Sequence, residues 1–407
     1  MISFLETDEI KKLAYEMASE MKASGSYSFP SKPEYPLSDL KKNTMFGIMK
    51  CGNRILRAFS GAIASRYIIP GYIPPCFSVN AFCTEAEKDD ALIHELTQRI
   101  NNGESELTER RAEITTQKLD RIRALYSFSS WNGEKLALPV KAPTGTGDCA
   151  GLKLINKALR DHLEIKGLAE FMMNEDGSLT FFPPCESRCG LLLPSMLGLD
   201  FIYADGDIAV IDKKEGMLSV PGKGEDKLDS ASYRFHKLFP SSPEQCAAHR
   251  LDMDTSGLLV LAFTTEMKAR MNISFENRIV KKEYEALLEG VLEEDHGIID
   301  IPIRLDTDNR PRQIADHVNG KKAVTVWKRL GVEVIDGIKY TRVRFFPETG
   351  RTHQLRVHSA SIGHPIKGDR LYGTRKEGER LALHASSITF PHPRTGETVT
   401  FTSTCPF

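Results

Sequence analysis

No stretch of this 407-residue chain is apolar for long enough to cross a bilayer as a helix. The longest runs, Gly257 to Phe263 and the Pro-broken Leu191 to Leu199, fall well short of the required length of about 20 residues. Charge interrupts the N-terminal MISFLETDEIKKLAYEM from Glu6 onward, and no basic region precedes an apolar run. No secretory signal is read there, no membrane partner is expected, and a cytoplasmic protein is. Cysteine is scarce and unevenly spaced, 8 in the whole chain, which argues against a disulfide framework and for reduced thiols. Charge of one sign is also missing: 54 Lys and Arg face 55 Asp and Glu, so the global balance makes no case for a polyanionic partner. With no internal repeat and no low-complexity tract, what remains is a globular chain with room for two separate cores.

Texture divides the chain near residue 197. In residues 1–196, the segment Met45 to Phe77 is rich in Gly, Pro and aromatics, and its GYIPPCF is too Pro-dense for a helix or a central strand. From about 85 to 125, apolar residues at Leu92, Ile93, Leu96, Ile100, Leu107, Ile114, Leu119, Ile122 and Leu125 recur at helical spacing. A break at Asn101-Asn102-Gly103 makes this a helical hairpin, read as an exposed arm. The linker Ala142 to Gly147 then leads to a second expected helix, from about Leu152 to Met173. Residues 197–407 instead present short strands: FIYA, DIAVID, GLLVLAF, KKEYEALLEG, KAVTVWKRL, KYTRVRFFP, LALHASSITF and TVTFTS. Helical spacers fall at Thr265 to Arg278 and Thr352 to Ile362. The pattern is that of an α+β domain on a mixed, mainly antiparallel sheet, with a mixed and helical extension before it.

Local charge is less even than the total. Between Ile301 and Arg375 there are 15 Lys and Arg against 7 Asp and Glu, a basic stretch suited either to phosphate contact or to ordinary solvation. Chemistry concentrates in HRLDMDTSGLLVLAF, His249 to Phe263. There a carboxylate, Asp252, follows Arg250 by two residues at the mouth of an apolar strand, where a side chain can be both held and reached. The same residues also fit a plain turn, with Thr255 and Ser256 capping it and Arg250 pairing with Asp252 or Asp254. A second cluster is TGRTHQLRVHSASIGHPIKGDRLYG, Thr349 to Gly373, with Thr352 as a helix N-cap and Gly363 near its end. Arg351 at that helix start opposes the helix dipole unless an anion lies nearby, and Asp252 is the candidate anion. His353 and His358, five apart, would lie about 140° apart on a helix, unlike a metal-binding i, i+4 pair, so no metal is expected there. Tyr284, alternating with Lys282 and Ala286 on a strand, is either a core-edge residue or a platform for a base. Cys185 and Cys189, with Cys149 upstream, have the spacing of a partial zinc knuckle but no evident fourth ligand, and are read as structural thiols.

Taken in order, FIYADGDIAVIDKKEGMLSVPG, HRLDMDTSG, KKEYEALLEG, DNRPRQ, NGKKAVT, TGRTHQLRVH, GHPIKGDRLYG and LALHASSITFPHP resemble the RluA family of pseudouridine synthases. The resemblance covers the C-terminal half and implies the pseudouridine synthase fold, a cofactor-free isomerisation of uridine, and structured RNA as partner. It implies Asp252 as the catalytic aspartate, Arg351 as its arginine partner and Tyr284 as the ring stacked on the target uracil. It further implies Leu383 as a lining of the base pocket and Arg250 as the side chain entering the vacated RNA stack. His249, Thr255, His353 and Gln354, inside the same motifs, are read with them as contacts to RNA or base. Lys214 departs from the family's usual proline and affects only local loop shape. SVPG, DNRPRQ and GHPIKGDR are similar to the branch acting on 23S ribosomal RNA and a tRNA anticodon stem-loop. Two other readings are a non-catalytic RNA-binding or ribosome-associated protein on the same fold, and a metal-dependent nuclease.

Overall fold

The computed structural model describes residues 6–139, 142–174, 176–183, 185, 187–224, 227–374 and 378–407. Arg375, the last residue of the basic stretch, and residues 1–5 of the N-terminal segment lie outside them. The chain divides into two compact units, Met1–Gly198 and Leu199–Phe407. Among the described residues no helix is long and apolar enough to cross a membrane.

The first unit is built on a four-stranded antiparallel sheet in the order β2-β1-β5-β6, from β1 Met45–Cys51, β2 Arg54–Phe59, β5 Ile165–Met173 and β6 Leu179–Phe182. Successive residues of β1 point to opposite faces. Phe46 and Ile48 join Ile10, Ala14, Met17 and Met21 of helix α1, Asp8–Ser24, in one core. The other face packs on helix α5, Ala150–Arg160, so closely that a Cβ on Gly47 would lie 2.8 Å from Cβ of Ala150. α1 is well bounded: the Thr7 hydroxyl accepts from the Ile10 amide and Gly25 ends it at φ 67.

The expected hairpin is present as α3 Asp90–Asn101 and α4 Thr108–Ala124, preceded by α2 Val79–Glu87. Its apolar seam is thin, with Leu96 its one buried hydrophobic residue among those described. Ion pairs supplement it: Lys118 reaches Asp90 and the Ala86 carbonyl, and Arg121 reaches Glu85 and Asp89. Short strands β3 Phe128–Ser129 and β4 Lys135–Leu136 follow, and α6, Cys189–Leu197, closes the unit.

The helix expected over Leu152 to Met173 is half wrong. α5 stops at Arg160, His162 turns the chain at φ 53, and IKGLAEFMM becomes β5, hydrogen-bonded on both edges. Burial on both faces removed the alternation that would have marked it as a strand.

The second unit carries a nine-stranded sheet ordered β11-β14-β15-β10-β16-β9-β8-β7, with β17 also paired to β16. Its strands are β7 Phe201–Ala204, β8 Ile208–Lys213, β9 Ser256–Ala262, β10 Lys281–Glu289, β11 His296–Asp300, β14 Val324–Ile335, β15 Ile338–Pro347, β16 Leu383–Pro391 and β17 Thr398–Thr402. A small ribbon, β12 Ile303–Leu305 with β13 Gln313–Ala315, stands apart, and the helices are α7 Ala231–Leu238, α8 Thr265–Glu276 and α9 Gln354–Ser361. This is the mixed, mainly antiparallel sheet expected of the α+β domain. The exception is β9 against β16, which run parallel. Their contact depends on Gly257: at φ 113 its absent Cβ would lie 2.4 Å from the Ala385 carbonyl oxygen. Every residue of β9 is buried, which makes it a rigid base for the loop that precedes it.

Candidate active site

Asp252 lies in the loop that enters β9, and that loop is pinned along its length. The Ser219 hydroxyl donates to the Leu251 carbonyl (2.8 Å) and accepts from the Leu251 amide (2.9 Å). The Thr255 amide closes a turn onto the Asp252 carbonyl at 3.1 Å. Beneath it, the buried Lys213 ammonium donates to the carbonyls of Lys214, Met217 and Met253 at 2.9, 2.8 and 3.1 Å. Burial pushes that ammonium down to about 8, against the pull of the Asp252 and Asp254 charges. Asp254 itself is held by Arg370 Nε at 2.9 Å.

The Asp252 side chain keeps 19% of its surface exposed. Its Oδ2 lies 3.6 Å from Arg356 Nη1 and 3.9 Å from His353 Nε2. Arg356, on α9, is fixed from the other side by a two-pronged pair with Asp369: Nε and Nη2 each donate at 2.7 Å. Asp369 is fully buried and also accepts the Leu371 and Tyr372 amides (2.8 and 3.1 Å), and these contacts hold its carboxyl below the usual range despite burial. His353 is oriented by Tyr372, whose hydroxyl lies 2.8 Å from Nδ1 and accepts the Gln313 amide at 2.7 Å. The Tyr372 ring sits under the Arg356 guanidinium at 5.3 Å and the exposed Arg312 guanidinium at 5.4 Å.

Arg351 is not the partner of Asp252 in this structure, which corrects the assignment made from sequence. It precedes α9, is exposed, and its Nε donates to the Lys322 carbonyl at 3.1 Å. The helix begins at Gln354, so Arg356 falls on the inward face while Arg351 stays at the rim. Thr352 is not the N-cap either. His353 takes that position in the left-handed region at φ 56, and the Gln354 side chain serves the free Arg351 amide at 3.0 Å.

Other residues singled out above divide by where they face. Tyr284 of β10 packs against the core that includes Leu383, and its hydroxyl is pushed up first by burial and then by the Asp252 charge. Leu383, at the head of β16, is buried and paired across the sheet with Ala286. Arg250 is exposed and makes no hydrogen bond or ion pair among the described residues. Three residues expected to contact RNA turn inward instead. Thr255 is buried in the turn. The Gln354 side chain donates to the Val324 carbonyl and the Thr325 hydroxyl, both at 3.0 Å, and accepts from Thr349 and Arg351. His249 accepts the Val260 amide at 3.1 Å and packs on Phe275. His358 is equally committed, to Thr325 and the Ile301 carbonyl.

The profile of the family described as RNA pseudouridylate synthase matches residues 207–361, which contain Asp252, Tyr284, His353 and Arg356. The chain belongs to the RluA-type pseudouridine synthases and is an RNA-modifying isomerase. The Dual-specificity RNA pseudouridine synthase RluA of Haemophilus influenzae is 42% identical over 212 residues, 51% of this chain and 94% of that protein. Its counterpart in Escherichia coli K12 is 38% identical over 214 residues, 51% of this chain and 94% of its own length. A solved structure, Human RNA Pseudouridylate Synthase Domain Containing 1, is 30% identical over 51% of this chain and 84% of that one, with a TM-score of 0.44.

Two predictions test this geometry. Arg356→Gln strands the buried Asp369 charge and should cost about 3–5 kcal/mol in urea unfolding, whereas the exposed Arg351→Gln should stay within about 0.5 kcal/mol of wild type. Equal losses would remove Arg356 from its place in the frame. Burial, with Lys282 nearby, pushes His249 down to about 3. Between about pH 6.5 and 3 the unfolded chain therefore binds a proton that the folded chain excludes. That stability is whole above about pH 6.5 and falls with acidification by at most about 1.4 kcal/mol per pH unit. His249→Asn should flatten this component of the pH profile.

Proposed function

We propose that Asp252 is the catalytic carboxylate, that Tyr284 carries the target uracil, and that Arg356 holds the carboxylate in place. The observation that carries this reading is a partly exposed Asp252 on a pinned loop, with Arg356 Nη1 3.6 Å and His353 Nε2 3.9 Å from its Oδ2.

Turning uridine into its C-linked isomer breaks the bond from N1 to C1′ and forms one from C5 to C1′. N1 gains a proton and C5 gives one up, so the change is redox-neutral and draws on no outside group. A carboxylate can start it by attack at C1′, by attack at uracil C6, or by removing the C2′ proton. Each route needs the carboxylate ionised. Arg356 Nη1 lies 3.6 Å from the carboxylate and is itself oriented by Asp369.

Because the reacting atoms are shielded in a stacked helix, the nucleotide must flip out, and the exposed Arg250 is suited to fill the gap it leaves. Exposed Lys322, Arg351, Arg312 and Arg370 border the same face and are suited to backbone phosphates. Loops give up a base most cheaply, so the substrate is structured RNA with unpaired loops. By the resemblance of SVPG, DNRPRQ and GHPIKGDR to the branch acting on them, the first candidates are 23S ribosomal RNA and a tRNA anticodon stem-loop, met in the cytoplasm. Residues 197–407 form the catalytic domain in this reading, and 1–196 an extension added to it.

Asp252→Asn keeps volume and shape but removes the charge. It should bind substrate RNA with near wild-type affinity and form no detectable pseudouridine. Turnover within a factor of about ten, only about 1.4 kcal/mol in barrier, would refute the role. Tyr284→Phe should keep RNA affinity, while Tyr284→Ala should lose stacking of about 1–3 kcal/mol, measured by RNA titration. A chain beginning near Leu197 should fold and retain isomerase activity in tritium-release or pseudouridine-mapping assays. An insoluble product would mean that the extension and the catalytic domain fold as one.

A further inference from the structure

We propose that the first unit contains a zinc site whose ligands are Cys149, Cys185 and Cys189. The three thiol sulfurs lie within 4.8 Å of one another, although the residues are separated by up to 40 positions in the chain. Cys185 and Cys189 Sγ are 3.9 Å apart. Tetrahedral zinc with sulfur at about 2.3 Å requires neighbouring sulfurs about 3.8 Å apart, so this pair already has the spacing the ion needs.

The local architecture brings two helix starts to the cluster. Cys149 is the N-cap of α5 and Cys189 opens α6, so the positive ends of two helices meet at the cluster. α5 and α6 pack on each other, which fixes those ends without help from a ligand. Three thiolates around Zn²⁺ leave a net charge of -1. Arg188, next to Cys189, lies within electrostatic reach of Cys149, as do the Glu170 and Asp148 carboxyls. Burial grades across the site, with Cys189 buried, Cys149 half-buried and Cys185 exposed. The fourth corner therefore opens on the Cys185 side, where water completes the coordination. Binding releases three thiol protons and involves no electron transfer. The ion ties the starts of α5 and α6 to the Cys185 segment, a structural role separate from uridine isomerisation.

The test uses the full chain, reduced, freed of metal with chelator, and titrated with Co²⁺ alone. The expected result is one equivalent bound, a thiolate-to-cobalt charge-transfer band with the strong visible bands of tetrahedral cobalt, and their loss when one equivalent of Zn²⁺ is added. Cys185→Ser changes an exposed position and should weaken Co²⁺ binding at least about tenfold with the fold intact by circular dichroism, and Cys149→Ser should do the same. Cys83→Ser, exposed and outside the cluster, should bind as wild type does. Zn²⁺ should also raise the thermal midpoint of wild type but not that of Cys185→Ser. The proposal is overturned if wild type shows no thiolate band, if the band survives in the Cys149 and Cys185 variants, or if mass spectrometry finds a Cys185–Cys189 disulfide in place of bound metal.

Discussion

The pair between Arg356 and Asp369 is the constraint on which the site rests. Two charges are taken almost completely out of water, and each is satisfied on several sides: the guanidinium by two carboxylates and an aromatic face, the carboxylate by two amides and two guanidinium nitrogens. Such a pair contributes little net stability, since desolvation consumes most of its attraction. What it provides is direction. With Nε and Nη2 fixed, Nη1 can point only one way, and Asp252 lies there. The Asp369 turn also sets Tyr372, which sets His353, so both donors facing Asp252 trace to one buried carboxylate.

Much of the second unit was legible because its signals are local. The strands from FIYA to TVTFTS were marked by apolar runs between turns. Arg351 and Arg356 could not be ranked that way. Both lie in TGRTHQLRVH, and the choice between them turns on where α9 begins and which face meets the sheet. Asp369 hid in GHPIKGDRLYG for the same reason, since its value comes from a partner 13 residues away across a turn. Gln354, Thr255 and His249 looked like site residues because they adjoin site residues. Their side chains are instead consumed in supporting the loop and helix that carry the site.

The first unit was less readable. β1 and β5 are covered by helices on both sides, so neither shows the alternation of a half-buried strand, and β5 passed for the continuation of α5. The hairpin of α3 and α4 was visible because one face is wet. The three cysteines were noticed as a spacing without a fourth partner. Only the fold brings Cys149, at the head of one helix, to the pair at the head of another.

The parallel seam between β9 and β16 bears on how the enzyme comes into being. Ser256 and His384, which hydrogen-bond across it at 2.9 Å, are 128 residues apart in the chain. A ribosome making this protein releases the Asp252 loop and β9 well before the strand that locks them. Until β16 arrives, β9 has β8 on one edge and residues 246–248, bridged at Ala247 and Leu261, along part of the other, so the end left unpaired is the one at Ser256 and Gly257. The Asp252 loop can thus be tied to Ser219 and Lys213, which are already made, before Ser256 and Gly257 at its far end find their partners on β16.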